Sequence, residues 1–392
     1  MLTYRRKLLA ASSLHSRYSR ACVSEVVARW TRALKTSAAV AAASQSSEAV
    51  NQAFQPACAT SASPPSPWDR LNLDDAATRA PIAYKYIPHL PYHTGLKLQE
   101  ALVQRRVAMM DEAEKSATSG QKDLNIGQGP SSRLPIDVIL LLQHDPVYTG
   151  GRRIRGASSA SEGLRLRELT GADYHETLRG GQLTYHGPGQ LVGYPILALT
   201  TKGGYGYSEE MRKMGRLPVR CYVSLLEHMM INVAARYGIP ASVTQNTGVW
   251  VPGKSRVTEL KDENKIGAIG IHLTHNVTSH GFALNCTTDL SYFDQIIACG
   301  LPDKGATSIA VETPIWKDYQ SLLPNGTTPG EVFVEAVVPV VVDEMEKVLA
   351  RKLVNLDASD DSAWKTGRSA ADLESIEESF EDIRDLIQRT LY

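Results

Sequence analysis

Cysteine is scarce in this 392-residue chain, and no two cysteines form a C-x-x-C pair. The five present, Cys22, Cys58, Cys221, Cys286 and Cys299, are odd in number and widely spaced. That pattern argues against a disulfide framework and a cysteine-built zinc site; it fits a reducing compartment in which any one thiol could be a nucleophile. No metal is expected. A charge surplus is also missing, since 42 Lys and Arg balance 42 Asp and Glu. A general nucleic-acid binder would carry a basic excess, so nucleic acid is not an expected partner. No stretch approaches about 18 consecutive apolar residues, so no transmembrane segment is expected. The apolar fraction is 43%, enough for a sizeable core over most of the chain.

Acidic residues are nearly absent from the N-terminus. Residues 1–47 carry Arg5, Arg6, Lys7, Arg17, Arg20, Arg29, Arg32 and Lys35 against Glu25 alone, with Ser and Ala between. Arg-rich, Ser-rich and acid-poor is the composition of a mitochondrial transit peptide, and a mitochondrial location is the expectation. A secretory signal does not fit, because no uninterrupted apolar region follows the charges. Residues 48–81, with Ser61-Ala62-Ser63-Pro64-Pro65-Ser66-Pro67, read as a disordered linker.

From residue 82 onward the pattern is that of ordered structure. Strands are expected at 82–87, 136–142, 247–251, 265–273 and 277–285. Helices are expected at 94–113, 217–237 and 332–349, the second closed by Gly238 and Pro240. Residues 116–134 and 252–264 read as polar insertions, and a Gly/Arg/Ser loop is expected after residue 146. The alternation of strands and helices implies an α/β fold, a single domain over 82–350 with a mixed sheet and flanking helices. Residues 351–392 read as an acidic tail. There Leu373, Ile376, Phe380, Ile383 and Ile387 form an apolar stripe of about two heptads, better suited to a helix folded onto its own domain than to a coiled coil.

Four segments carry the chemistry. The first runs from Arg179 through Gly180, Gly181, Gln182, Leu183, Thr184, Tyr185 and His186 to Gln190, with glycines where something must approach the backbone. No G-K-[ST] ends this loop and it lacks G-x-G-x-x-G spacing, so it is neither a P-loop nor a dinucleotide fingerprint; taken alone it also fits a tight hairpin. The second opens with Lys265 and continues through Ile266, Gly267, Ala268, Ile269 and Gly270. A lysine at a strand edge is usually solvated, but in an apolar pocket it can exchange a proton near neutrality. The third is His280-Gly281-Phe282-Ala283-Leu284-Asn285. The fourth is Cys299-Gly300-Leu301-Pro302, at a turn where backbone N–H groups could face an oxyanion. A free cysteine is more often a small buried hydrophobe.

Taken together, these segments resemble the lipoyl(octanoyl) transferase family. Arg179, Gly180, Gly181, Thr184, Tyr185, His186, Gly189, Gln190, Val192 and Tyr194 fill the fixed places of its R-G-G-x-x-T-Y-H-x-x-G-Q-x-V-x-Y signature. Lys265, Ile266 and Gly270 match its lysine run, and His280–Asn285 its H-G-[FL]-A-L-N strand. Asp289, Leu290, Phe293, Ile296, Cys299 and Gly300 match its D-L-x-x-F-x-x-I-x-x-C-G stretch. His144 to Thr149 is similar too, with Gly150 where a larger apolar residue is expected.

The resemblance implies a catalytic fold similar to that of the biotin and lipoate protein ligases. It implies Cys299 as acyl-thioester nucleophile and Lys265 as the residue lowering its pKa. It implies an acyl-chain site from Arg179–His186, Ala268–Gly270 and Gly281–Ala283. It implies octanoyl-acyl carrier protein as donor, with the glycine-cleavage H protein and the lipoyl domains of 2-oxoacid dehydrogenase E2 subunits as acceptors, and no cofactor. Three alternatives differ in chemistry. A lipoate ligase would activate a free acid with ATP and would not need Cys299. A silent lipoyl-domain binder would need neither Cys299 nor Lys265. A cysteine hydrolase would use His186 or His280 as base and need no carrier.

Overall fold

The computed structural model describes residues 80–118, 136–200, 216–253, 263–296, 304–313, 316, 320, 329–358, 365 and 370–391. The expected transit peptide, and the linker up to residue 79, lie outside the described residues. The elements in chain order are β1 (Ile82–Ile87), α1 (Tyr92–Thr118), β2 (Asp137–Leu142), β3 (Val147–Gly150), α2 (Ala157–Thr170), β4 (Asp173–Glu176), β5 (Leu183–His186) and β6 (Gln190–Ile196). They continue with α3 (Val219–Arg236), β7 (Val249–Pro252), β8 (Glu263–Thr274), β9 (Val277–Asn285), β10 (Gly305–Ala306), α4 (Pro329–Leu349), β11 (Leu353–Asn355) and α5 (Ala370–Leu391). Among the described residues no helix is long and apolar enough to cross a membrane.

The expected mixed sheet is present. Its strands run β10-β8-β9-β6-β2-β1-β11, with β7 also paired to β8. The β1–β2, β1–β11 and β8–β10 pairs are parallel; β2–β6, β6–β9, β8–β9 and β7–β8 are antiparallel. The sequence of β2, Asp-Val-Ile-Leu-Leu-Leu, shows why helices must cover both faces. All six residues are buried, and side chains alternate between faces along a strand. Ile139 and Leu141 join a core with Leu226, Met229 and Val233 of α3 and Val334, Val337 and Val341 of α4. Val138, Leu140 and Leu142 join the opposite core with Leu98 and Leu102 of α1.

The C-terminal stripe completes that second core. Ile376, Phe380, Ile383 and Ile387 of α5 are buried in it, and Arg105 of α1 pairs with Asp382 of α5. β11 adds a strand beside β1, and α5 packs on α1 in the same core.

A second sheet, of order β4-β3-β5, departs from the expected loop. Its four-residue strands are too short to show periodicity in a Gly- and Arg-rich stretch. With α2 it encloses a satellite core of Tyr148, Leu166, Ala172, Leu183, Tyr185 and Ile296. The Gly187–Gly189 turn therefore carries the chain from the small sheet (β5) to the large one (β6), and does not close a hairpin.

One buried ion cluster ties β2 to α1 and to the segment between α4 and β11. Asp137 accepts from Arg106 Nε of α1 at 2.7 Å, from Arg351 Nη1 after α4, and from Ala198 N at 3.1 Å. Arg351 also donates to the carbonyls of Ala80 and Pro81. Burial alone would raise the Asp137 carboxyl, but the two guanidinium groups hold it below the usual carboxylate range. A depressed folded pKa gives stability that is complete above the unfolded value, near 3.9, and lost as pH falls through the folded value. Asp137→Asn leaves two guanidinium groups buried without their counter-charge, at a cost on the order of 3–5 kcal/mol. Urea midpoints at pH 6 should show the full gap between wild type and variant, and the gap should narrow below about pH 4. An equal gap at pH 3 and pH 6 would contradict the assigned role.

Candidate functional site

The β8–β9 ladder brings together two of the sequence motifs. Ala268 pairs with Ala283, Ile269 with Phe282 and Gly270 with Gly281. On the other side of β9, Val192 pairs with Ala283 and Gln190 with Asn285. Alternation splits these residues by face. Ile269 and Phe282 point into the α3/α4 core, whereas Ala283 belongs to the α1 side together with Val192 and Tyr194. The α1 side of the ladder therefore carries only small groups at 268, 270, 281 and 283.

The glycine loop lies along the same ladder. Gly180 N donates to Ile271 O at 2.9 Å. A Cβ at Gly270 would stand 3.0 Å from Arg179 Cδ and 3.1 Å from Gly180 O, so the missing side chain admits the loop. Arg179 is buried and holds that loop. It donates to the Thr149 hydroxyl and carbonyl and to the carbonyls of Gly180 and Gln182. Gly181 takes φ +88°, and Gln182 O accepts from Gly151 N. Leu183 and Tyr185 turn into the satellite core, where Tyr185 stacks on Tyr292 at 4.4 Å. Thr184 and His186, also buried, alternate with them along β5. The glycine at 150 has a local reason: a Cβ there would lie 2.4 Å from the Tyr174 hydroxyl.

A buried polar chain starts at His186. Gln190 Nε2 donates to Tyr185 O and to Asn285 Oδ1, which fixes its amide orientation. Gln190 Oε1 then accepts from His186 Nδ1 at 2.7 Å, which makes His186 Nε2 the acceptor nitrogen of the ring. Asn285 Nδ2 donates to Thr307 O, and Thr307 N donates to Lys265 O at 3.0 Å. Around His186 stand Tyr92, stacked at 6.2 Å, and His144 at 6.1 Å; His175 lies 5.2 Å from Tyr92. His144 donates from Nδ1 to Leu90 O and accepts the Tyr194 hydroxyl at Nε2. Burial pushes His186 down to about 3 and His144 down to about 4, so both rings are neutral near pH 7. His280 is likewise pushed down to about 3, and its backbone sits at φ +55°, an uncommon conformation for a non-glycine residue.

Lys265 is buried on β8, with Trp250 of β7 and Ala306 of β10 as strand partners. Its Nζ lies 4.5 Å from the Trp250 ring centroid and donates to Thr247 O at 3.3 Å. Glu227 of α3 accepts from the adjacent Gly248 N at 2.9 Å. Cys299 lies outside the described residues. The chain that follows it returns as β10, where Ala306 pairs directly with Lys265. Cys286 is fully buried in the α3/α4 core, with its thiol pushed up to about 12 by burial, which makes it a poor nucleophile.

Tyr92, His144, His175, Glu227 and Trp250 join this region from five separate segments. His144 stood in a recognised stretch, but no spacing in the sequence announces the others. One further motif in the sequence falls partly on an extended strand. Residues 248–255 spell G-x-x-x-x-G-K-S, yet Val249–Pro252 are extended and paired with β8, so they form no loop to cradle a phosphate.

A family model described as the lipoyl protein ligase A/B catalytic domain matches residues 91–321. The chain belongs to this family. Within it, the similar curated proteins are acyltransferases by name. A Danio rerio protein, octanoyl-acyl-carrier-protein:protein N-octanoyltransferase LIPT2, mitochondrial, is 39% identical over 237 residues, 60% of this chain and 85% of the relative. A Drosophila melanogaster protein, putative lipoyltransferase 2, mitochondrial, is 45% identical over 222 residues, covering 56% and 76%. An Acidobacterium capsulatum octanoyltransferase is 39% identical over 231 residues, covering 58% and 78%. The family match ends at residue 321, ahead of α4, β11 and α5.

Proposed function

We propose that this acyltransferase moves an octanoyl group from octanoyl-acyl carrier protein to a lysine of a lipoyl-bearing protein, through a thioester on Cys299. The observation that carries the reading is Lys265: a buried lysine held by a carbonyl and an indole face, on the strand that pairs with the chain returning from Cys299. The names of the relatives supply the substrate class.

In the first half-reaction the Cys299 thiolate attacks the thioester carbonyl. The carrier thiolate leaves and takes up a proton. In the second, the neutral amine of the acceptor lysine attacks the Cys299 thioester, an amide forms, the thiolate returns, and the proton lost by the amine nitrogen passes to solvent. A free thiol of pKa about 8.5 is only a few per cent ionised at neutral pH, so the nucleophile needs a nearby cation or base, the part given to Lys265. The thioester is already activated, so ATP has no step to serve. The Ala268–Gly270 and Gly281–Ala283 pairs, with the 179–181 loop against them, are the wall proposed for the acyl chain. Each methylene it buries contributes about 0.8 kcal/mol, which lets pocket depth select chain length. The H protein and E2 lipoyl domains are the acceptors of this reading.

The basic, acid-poor N-terminus and the mitochondrial names of two relatives support a mitochondrial location. A fluorescent fusion of residues 1–60 should enter mitochondria, and diffuse cytosolic signal would reject this.

Transfer is tested with octanoyl-acyl carrier protein, a lipoyl domain and no ATP, read by the mass of the acceptor. Wild type and Cys286→Ser should octanoylate it, and Cys299→Ser should not. Near-normal transfer by Cys299→Ser, or transfer only when ATP and free octanoate are supplied, would overturn the reading.

A further inference from the structure

Lys265 does not stand on β8 alone. Its ammonium donates to the carbonyl of Thr247, and the next residue, Gly248, donates its N–H to Glu227 Oε1. Gly248 takes φ +119°, and a Cβ there would come within 2.7 Å of Gly267 O and 3.2 Å of Lys265 Cε. The turn is thus built to bring a carboxylate on α3 and an ammonium on β8 to opposite sides of one peptide unit. Glu227 lies on the α3 side chain row next to fully buried Leu226, half-buried itself, where a carboxylate needs a reason to be.

We infer that Glu227 is a positioning residue for Lys265: its carboxylate clamps the Thr247–Gly248 turn and supplies the counter-charge that keeps the Lys265 ammonium in place. The inference rests on the catalytic part proposed for Lys265. Burial pushes the Glu227 carboxyl up, while the Gly248 N–H and the charge of Lys265 both oppose that push, as expected for a linked pair. Neighbouring charges are otherwise engaged. Glu263 pairs with Lys304 at 2.6 Å, Glu312 accepts from Thr307, and burial holds His228 below its ordinary pKa and thus neutral near pH 7.

The test is the pH profile of octanoyl transfer by the full chain. Glu227→Gln keeps an oxygen for Gly248 N and removes only the charge. Whichever limb of the profile reports Lys265 should move to lower pH, by about one unit, with a tenfold change in the protonated population above that limb. Glu227→Asp keeps the charge with a shorter reach, so it should hold the wild-type limb position at a reduced kcat. Thermal midpoints of both variants are followed alongside, since a purely structural role would lower them without moving the limb. A Glu227→Gln profile that overlays wild type overturns the inference. Lys265→Ala is run in the same assay. If it retains wild-type transfer, the catalytic reading itself fails; if it loses transfer while Glu227→Gln overlays wild type, only the inference about Glu227 fails.

Discussion

Gln190 gives both amide hydrogens away inside the protein, to Tyr185 O and Asn285 Oδ1, and takes one from His186. A buried amide with this many partners is costly to disturb, because each lost hydrogen bond leaves an unsatisfied group where water cannot reach. The residues it joins lie on β5 of the small sheet and on β6 and β9 of the large one. Asn285 passes the connection to Thr307, and Thr307 to Lys265 on β8. The two sheets, the glycine turn between them and the strand carrying the lysine are thereby held in one register. That register sets the backbone position of Lys265, and the contacts of its side chain set the ammonium.

Close backbone approach is the second constraint. Gly270 admits the Arg179–Gly180 loop, and Gly281 lets β9 pass Gly193 O and Pro195, where a Cβ would stand 2.3 and 2.6 Å away. Arg179 donates to Thr149, Gly180 and Gln182 along this approach. The face left open is mostly without side chains, and it is the wall proposed above for the acyl chain. The histidines near it are neutral through burial and are fixed as acceptors or donors by Leu90, Tyr194 and Gln190.

Much of this was legible in the sequence because the signals were long or repeated. β2 is an apolar run from Val138 to Leu142, and α3 is closed by Gly238 and Pro240. The site motifs were readable where a glycine pattern forced close approach, as at 179–181 and 281. The small sheet was not legible, since β3 and β4 have four residues each and the exposed Leu164 and Leu169 blur the face of α2. β11 is three residues long, too short to announce a strand past residue 350. Glu227 was unreadable for a different reason. On its helix it is an ordinary surface-type acid, and only tertiary packing sets it beside the turn that holds Lys265.

The central claim is that the acyl group rests on Cys299 between donor and acceptor. Intact-mass measurement of the full chain after brief exposure to octanoyl-acyl carrier protein, with no acceptor present, tests it most directly. The account predicts one octanoyl adduct, located by peptide mapping on the segment containing Cys299, and its disappearance with free amide product when a lipoyl domain is added. An enzyme that transfers octanoate at full rate while never carrying the adduct, or carrying it on another residue, would contradict the account.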